Sequence, residues 1–166
     1  MIKTIYLDMD GVLADFEKGC KDGGIMGDNG RPIWPKLFKA GPDFWANLAW
    51  MPGAQTFYTW LNKFCKDNKI DLCILSAAGK TGWKAADTGK KDWLAKNCPD
   101  IPQQNIYIVQ TGDGVSAAEK KAKHAKDNAL LIDDFGKNIN AFIMAGGQAI
   151  KYEDPKKVRD AILELV

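Results

Sequence analysis

Two stretches decide the fold: Ile5-Tyr6-Leu7-Asp8-Met9-Asp10-Gly11-Val12-Leu13-Ala14-Asp15-Phe16, close to the start, and Ala129-Leu130-Leu131-Ile132-Asp133-Asp134, close to the end. Each is a short apolar run that stops at a pair of acids. A strand that is apolar at every position is buried on both faces, which points to a parallel sheet wrapped by helices. In such sheets the ligand crevice lies at the carboxyl ends of the strands. Both acidic pairs stand at strand carboxyl ends, so their carboxylates are expected to converge on one small volume. Like charges that close raise each other's pKa unless a cation neutralises them. A hard, oxygen-seeking cation, most simply Mg2+, answers that need.

Outward from these stretches the chain alternates strand and helix. The pattern predicts strands over residues 2–7, 70–75, 106–109, 129–132 and 149–151. It predicts helices over residues 14–21, 54–68, 90–97, 115–126, 137–145 and 155–165. The 54–68 segment carries Phe57, Trp60, Leu61 and Phe64 on one helical face. Such alternation means an α/β doubly wound parallel sheet. Residues 22–52 change character. Gly23-Gly24, Gly27, Asn29-Gly30, Pro32, Pro35, Gly41-Pro42 and Pro52-Gly53 break any long element, while Trp34, Phe38, Phe44, Trp45 and Trp50 are spread among them. So many aromatics make a linker an unsuitable reading; a compact, mostly helical insert is expected. The division is therefore a core of residues 1–20 and 53–166 with a small cap over residues 21–52.

The chain has 166 residues, enough for one domain with a substantial core. Its 23 basic and 21 acidic residues leave a net charge of +2, which argues against a general nucleic-acid binder. The four cysteines, Cys20, Cys65, Cys73 and Cys98, form no C-x-x-C pair, so a zinc site is not expected. Cys65 and Cys73 sit in apolar contexts and read as buried thiols of a reducing compartment. Met1-Ile2-Lys3 runs straight into the first strand and no apolar run reaches membrane-spanning length, so a cytoplasmic protein without a membrane partner is expected.

A carboxylate such as Asp8 can attack phosphorus directly, giving an aspartyl-phosphate, when cations neutralise the developing charge. A carboxylate two residues later points to the same side of an extended backbone, where Asp10 could protonate a leaving oxygen and then activate water. Gly11 allows a sharp turn where substrate must approach. An Asx-Gly turn would contain the same residues, but the preceding apolar strand and the second acidic pair favour chemistry.

The run Asp8-Met9-Asp10-Gly11-Val12-Leu13-Ala14-Asp15-Phe16 resembles the first motif of the haloacid dehalogenase-like (HAD) phosphohydrolases. Within them it is most similar to the bacterial and phage type of the 5'(3')-deoxyribonucleotidase branch. The resemblance implies a HAD-like Rossmannoid core, Asp8 as nucleophile and Asp10 as general acid/base. It implies Mg2+ held by Asp8, by Asp10 through its backbone carbonyl, and by Asp133 or Asp134, with Asp133 favoured as the direct ligand. Ser76, after Leu72-Cys73-Ile74-Leu75, matches the small hydroxyl that donates to phosphate. Ala77-Ala78 follows where the branch often has Ser-Pro, which removes one side-chain contact. Lys121 fits the K-A-x-x-A pattern ahead of L-I-D-D, whereas ungapped spacing to Asp133 points to Lys123. Lys90 resembles the lysine of K-x-x-W and is expected at the phosphate. Phe135 stands where some relatives have Arg, and His124 is expected on a helix surface without a catalytic role. By the same resemblance Phe16, Phe44 and Trp45 are candidates for stacking on a base.

The reading that results is a Mg2+-dependent phosphomonoesterase acting on (deoxy)nucleoside 5'-monophosphates. Two alternatives stay open: the same chemistry on a small sugar or metabolite phosphate, and a non-catalytic phosphate- or nucleotide-binding module.

Overall fold

The computed structural model of the chain describes residues 1–80 and 83–166. Five strands form one parallel sheet: β1 (Thr4–Leu7), β2 (Asp71–Lys80), β3 (Ile106–Thr111), β4 (Ala129–Asp133) and β5 (Gln148–Lys151). Their order is β3-β2-β1-β4-β5, so the chain moves outward from β1 to β3 and then crosses back to lay β4 on the other side of β1. That reversal puts the topological switch between β1 and β4, where open α/β sheets bind ligands. The register sets Leu7 beside Ile74 on one side and beside Ile132 on the other. The residues that follow, Asp8, Ser76 and Asp133, are thereby delivered to the same edge of the sheet.

Alternation explains why these strands are apolar throughout. Ile5, Leu7, Leu72, Ile74, Leu130 and Ile132 face the larger core. Tyr6, Cys73, Leu75, Ala129, Leu131 and Phe142 make a second cluster on the opposite face. The first face is covered by α1 (Phe16–Asp22), α4 (Ala54–Asn68), α5 (Lys84–Asn97) and α8 (Pro155–Leu165). The second lies under α6 (Ala117–Ala122) and α7 (Gly136–Met144). Among the described residues no helix is long and apolar enough to cross a membrane.

Several elements differ from expectation: α5 opens at Lys84 rather than at residue 90, β3 runs on to Thr111, and α1, β2 and α6 differ as well. Helix α1 starts at Phe16 rather than Ala14 because the amides of Val12, Leu13 and Ala14 all converge on the Met9 carbonyl, at 3.1, 2.8 and 2.9 Å. Asp15 then caps the helix, accepting from the Lys18 amide at 3.0 Å. Strand β2 runs on past Ser76 alongside β3, with a register shift between Ala77 and Lys80. Helix α6 is only 6 residues long, opened by a Ser116–Glu119 capping box.

The insert holds two short helices, α2 (Trp34–Lys39) and α3 (Pro42–Ala46), of 6 and 5 residues. Its apolar residues Ile25, Leu37, Trp45 and Leu48 belong to the same core as β1 and β4. Helix α3 lies against α5 at Gly89, where a Cβ would come within 2.2 Å of the Pro42 carbonyl oxygen. The Trp93 indole, fully buried in α5, ties the insert down by donating to the Leu48 carbonyl at 2.8 Å. All four cysteines are buried and free, and burial pushes the Cys65 and Cys98 thiols up to about 12. His124 is not on a bare helix surface. Its ring packs 5.3 Å from Tyr6 and 4.7 Å from Tyr107, and burial holds its pKa below the usual histidine range.

Candidate active site

Asp8 leaves the end of β1 with both carboxylate oxygens engaged. Oδ1 accepts the Met9 amide at 2.8 Å, and Oδ2 lies 3.1 Å from Lys121 Nζ. Lys121, at the end of α6, is 1 % exposed and also donates to Asp133 Oδ2 at 2.6 Å. Burial works against its charge, but Asp8 and Asp133 outweigh burial and raise its pKa above the usual lysine range. Lys123, the alternate from ungapped spacing, is exposed at the C-cap of α6 and stands outside this cluster. The short helix decides between the two: Lys121 falls on its inward face.

Asp133 is fully buried and has four bonds: Lys121, the Phe135 amide on Oδ1 at 2.9 Å, and Asn138 Nδ2 on both oxygens at 3.0 and 2.9 Å. Burial and Asp8 push its pKa up, while Lys121 and the Phe135 amide pull it down. Three donor groups, which make four bonds, favour the ionised carboxylate against that burial. Asp134 differs. Its carboxylate is exposed and accepts from no other residue among those described. Desolvation, then Asp8 and Asp133, push its pKa up to about 7. It lies against Gly11, where a Cβ would come within 2.2 Å of Asp134 Oδ2, and Gly11 has a φ of +76°. Close approach and backbone geometry therefore both require glycine there.

Asp10 is the second carboxylate of the first pair. Its Oδ2 bonds Lys90 Nζ at 2.7 Å, and Lys90 reaches Ser76 Oγ at 3.1 Å. Its Oδ1 is buried with no hydrogen-bond partner among the described residues. Burial foremost, opposed by Lys90 and reinforced by Asp8, raises the Asp10 pKa above the usual carboxylate range. Lys90 was expected at the phosphate. It lies instead behind Asp10, 1 % exposed, with its ammonium 5.3 Å from the Trp45 ring centroid. The reason is its place on the inner face of α5, packed under the insert.

Four carboxylates thus meet two ammonium groups, so the cluster in its fully ionised form has two negative charges more than its lysines balance. Oxygens of Asp8, Asp133 and Asp134 lie within 4.8 Å of one another. An all-oxygen donor set with that surplus fits one hard divalent cation.

A cleft of about 1030 Å³ opens over this cluster. Asp8, Asp10, Ser76, Lys121 and Asp134 form its floor; Phe16, Met26, Pro32, Met51 and Phe135 line its walls. Of the three rings expected to stack on a base, Phe16 reaches the cleft. Trp45 is buried behind it, stacked at 5.2 Å and 13°, and Phe44 meets both edge-on. Trp45 packs against α5 at Gly89 and Phe44 against α1 at Gly19, packing roles that their spacing in sequence does not separate from ligand contact. Asn138 had no role assigned from sequence. A buried polar residue in the first turn of α7, five positions after Asp133, is the signal that could have found it.

No protein-family model matches the chain, and no curated protein matches it. Solved structures do. A hydrolase from Pseudomonas syringae is 16% identical with a TM-score of 0.56, each chain covered over 100% of its length. An aspartate-to-alanine mutant of a HAD family enzyme from Bacteroides thetaiotaomicron, in complex with magnesium and inorganic phosphate, is 14% identical with a TM-score of 0.56. That match covers 92% of this chain and 95% of the other. CbbY from Rhodobacter sphaeroides, in complex with phosphate, is 17% identical with a TM-score of 0.51 over 93% of this chain and 87% of its own. The fold is the HAD-like Rossmannoid fold of these hydrolases.

Proposed function

We propose that the chain is a Mg2+-dependent phosphomonoesterase that hydrolyses (deoxy)nucleoside 5'-monophosphates through an aspartyl-phosphate on Asp8. The observation that carries this reading is the division of labour between Asp8 and Asp10. Asp8 is presented to the cleft with its Oδ1 fixed by the Met9 amide. Asp10, two residues on, has a raised pKa and an unpartnered Oδ1. One carboxylate is set to attack; the other is set to carry a proton.

In the first step Asp8 attacks phosphorus while Asp10 gives its proton to the departing ester oxygen. In the second, Asp10, now ionised, takes a proton from the water that attacks the aspartyl-phosphate, and Asp8 leaves as carboxylate. Lys121 and the Ser76 hydroxyl are placed to donate to phosphoryl oxygens, which neutralises charge as it develops. Lys90 positions Asp10 and holds Ser76. Asp8, the Asp10 backbone carbonyl and Asp133 or Asp134 would hold Mg2+, and Asp133 also orients Lys121. A metal bound there would supply positive charge that offsets the repulsion between the phosphoryl oxygens and the Asp8 carboxylate. A nucleotide fits a charged floor beneath the Phe16 ring, since a base can stack there whatever its identity. Its setting is taken as cytoplasmic and its partner as the small-molecule ester alone.

The test is a screen of nucleoside monophosphates against sugar phosphates, with and without Mg2+, run on wild type and on Asp8→Asn. Metal-dependent release of phosphate from the nucleotides, lost in Asp8→Asn with the thermal midpoint kept, is the expected result. Turnover that survives Asp8→Asn would remove the nucleophile; turnover of sugar phosphates alone would remove the nucleotide.

A further inference from the structure

Phe135 is an apolar ring at a place dominated by charge. It follows Asp134 directly, opens α7, and gives its amide to Asp133. Its side chain is 54 % exposed and joins neither core cluster among the described residues. Yet it lines the cleft. A large exposed ring gains nothing from water, and more than half of this residue's surface faces it. Such a ring beside a ligand crevice is a contact surface waiting for an apolar face. Phe16 offers the contrast: it also lines the cleft but is backed by the buried Trp45, so its plane is fixed before any ligand arrives. Met26, Pro32 and Met51 add apolar wall beside the two rings, above a floor of carboxylates and ammonium groups and next to charged lining from Asp15, Glu17, Lys137 and Glu153. A ligand matching both layers has a phosphate at one end and a flat apolar-faced body at the other.

We propose that Phe135 is a specificity-determining residue of this site: its ring packs on the leaving group of the phosphomonoester, so the cleft favours esters whose alcohol carries a flat aromatic system. The proposal rests on the phosphomonoesterase reading and extends it from the floor of the cleft to its wall. A compact alcohol places its phosphate on the floor without reaching Phe135. A flat alcohol gains the ring contact, and the gain appears in KM because the ring touches no reacting atom.

The experiment compares kcat/KM for a nucleoside 5'-monophosphate and for glycerol phosphate, with Mg2+, in wild type, Phe135→Ala, Phe135→Leu and Phe135→Trp. The ratio of the two is expected to fall roughly fivefold to tenfold in Phe135→Ala, chiefly through KM for the nucleotide. Phe135→Leu, which keeps bulk without a flat face, should fall between, and Phe135→Trp should restore or exceed the wild-type ratio. Thermal midpoints identify any variant that fails to fold, and the other two substitutions then carry the comparison. A ratio within about twofold of wild type throughout overturns the proposal, as does an equal loss on both esters, which would mark Phe135 as support for Asp133. Wild type that releases phosphate from neither ester fails earlier, at the phosphomonoesterase reading, and is told apart by that.

Discussion

The floor of the cleft and the insert above it are held together by opposite means. On the floor, Asp8, Asp10, Ser76, Lys90, Lys121 and Asp133 come from five separate elements and are joined by charge-assisted bonds of 2.6–3.1 Å. Each group there needs a specific partner, because a buried charge without one is severely penalised. The insert has almost none of this. Its rings Trp45, Phe38 and the exposed Trp34 join Phe16 of α1 and Trp83 ahead of α5 in a chain of contacts between 4.8 and 6.1 Å. Apolar packing of that kind accepts substitutions of similar volume. The contrast teaches where change is tolerated: the floor admits one arrangement, and the wall can be altered to suit a different leaving group.

The contrast would break most visibly at Lys121. Lys121→Met removes the ammonium between two buried carboxylates and is expected to lower stability by about 3–5 kcal/mol. Phosphatase activity should vanish with it, since Asp8 loses its cationic partner. Denaturant unfolding measures the first effect. A loss below 1 kcal/mol would mean that the floor is no more demanding than the wall.

Gly89→Ala tests the insert in the same currency. The added methyl meets the Pro42 carbonyl oxygen at 2.2 Å and Trp45 Cβ at 2.5 Å, so α3 must shift. Overpacking of this kind lowers stability by about 1–3 kcal/mol. Because Trp45 backs Phe16, the kinetic effect should appear in KM and leave kcat nearly as it was. A change confined to kcat would contradict the reading of Trp45 as the backing of the Phe16 ring.

The smallest and most diagnostic effect is in the pH dependence. Asp134 is pushed up to about 7 from a carboxylate's ordinary value near 3.8. The metal-free folded state therefore binds a proton that the unfolded chain has released, and stability falls as pH rises from about 4 to about 7. Asp134 is exposed, so solvent screening keeps the effect modest. Mg2+ should raise the thermal midpoint more at pH 8 than at pH 5, because at pH 5 protons already neutralise the cluster. Equal stabilisation at both values would separate the metal from these acids.

Much of this was legible before any coordinates. The apolar runs ending in Asp8 and Asp133-Asp134 specify a parallel sheet and the end of it that carries the acids, because strands buried on both faces admit few polar residues except where they stop. Helix α4 and helix α8 appear with the boundaries their periodicity predicts. The roles of lysines were harder to read. Lys121 and Lys123 share a basic run, and only the rotation of a six-residue helix turns one inward. Lys90 matches a phosphate-binding pattern, yet the depth of α5 under the insert places its ammonium on Asp10 instead.

What the sequence determined by itself is the set of groups available: two acids two residues apart, a later acidic pair, and a sheet that gathers them. Short-range order carries that information, since strand alternation and the Asp-x-Asp-Gly turn are local. Which oxygen is free, which ammonium is inward and which ring meets the cleft were decided only by tertiary structure. Those are outcomes of competition for a few buried positions, and the competitors lie up to a hundred or more residues apart, as Asp8 and Asp133 do.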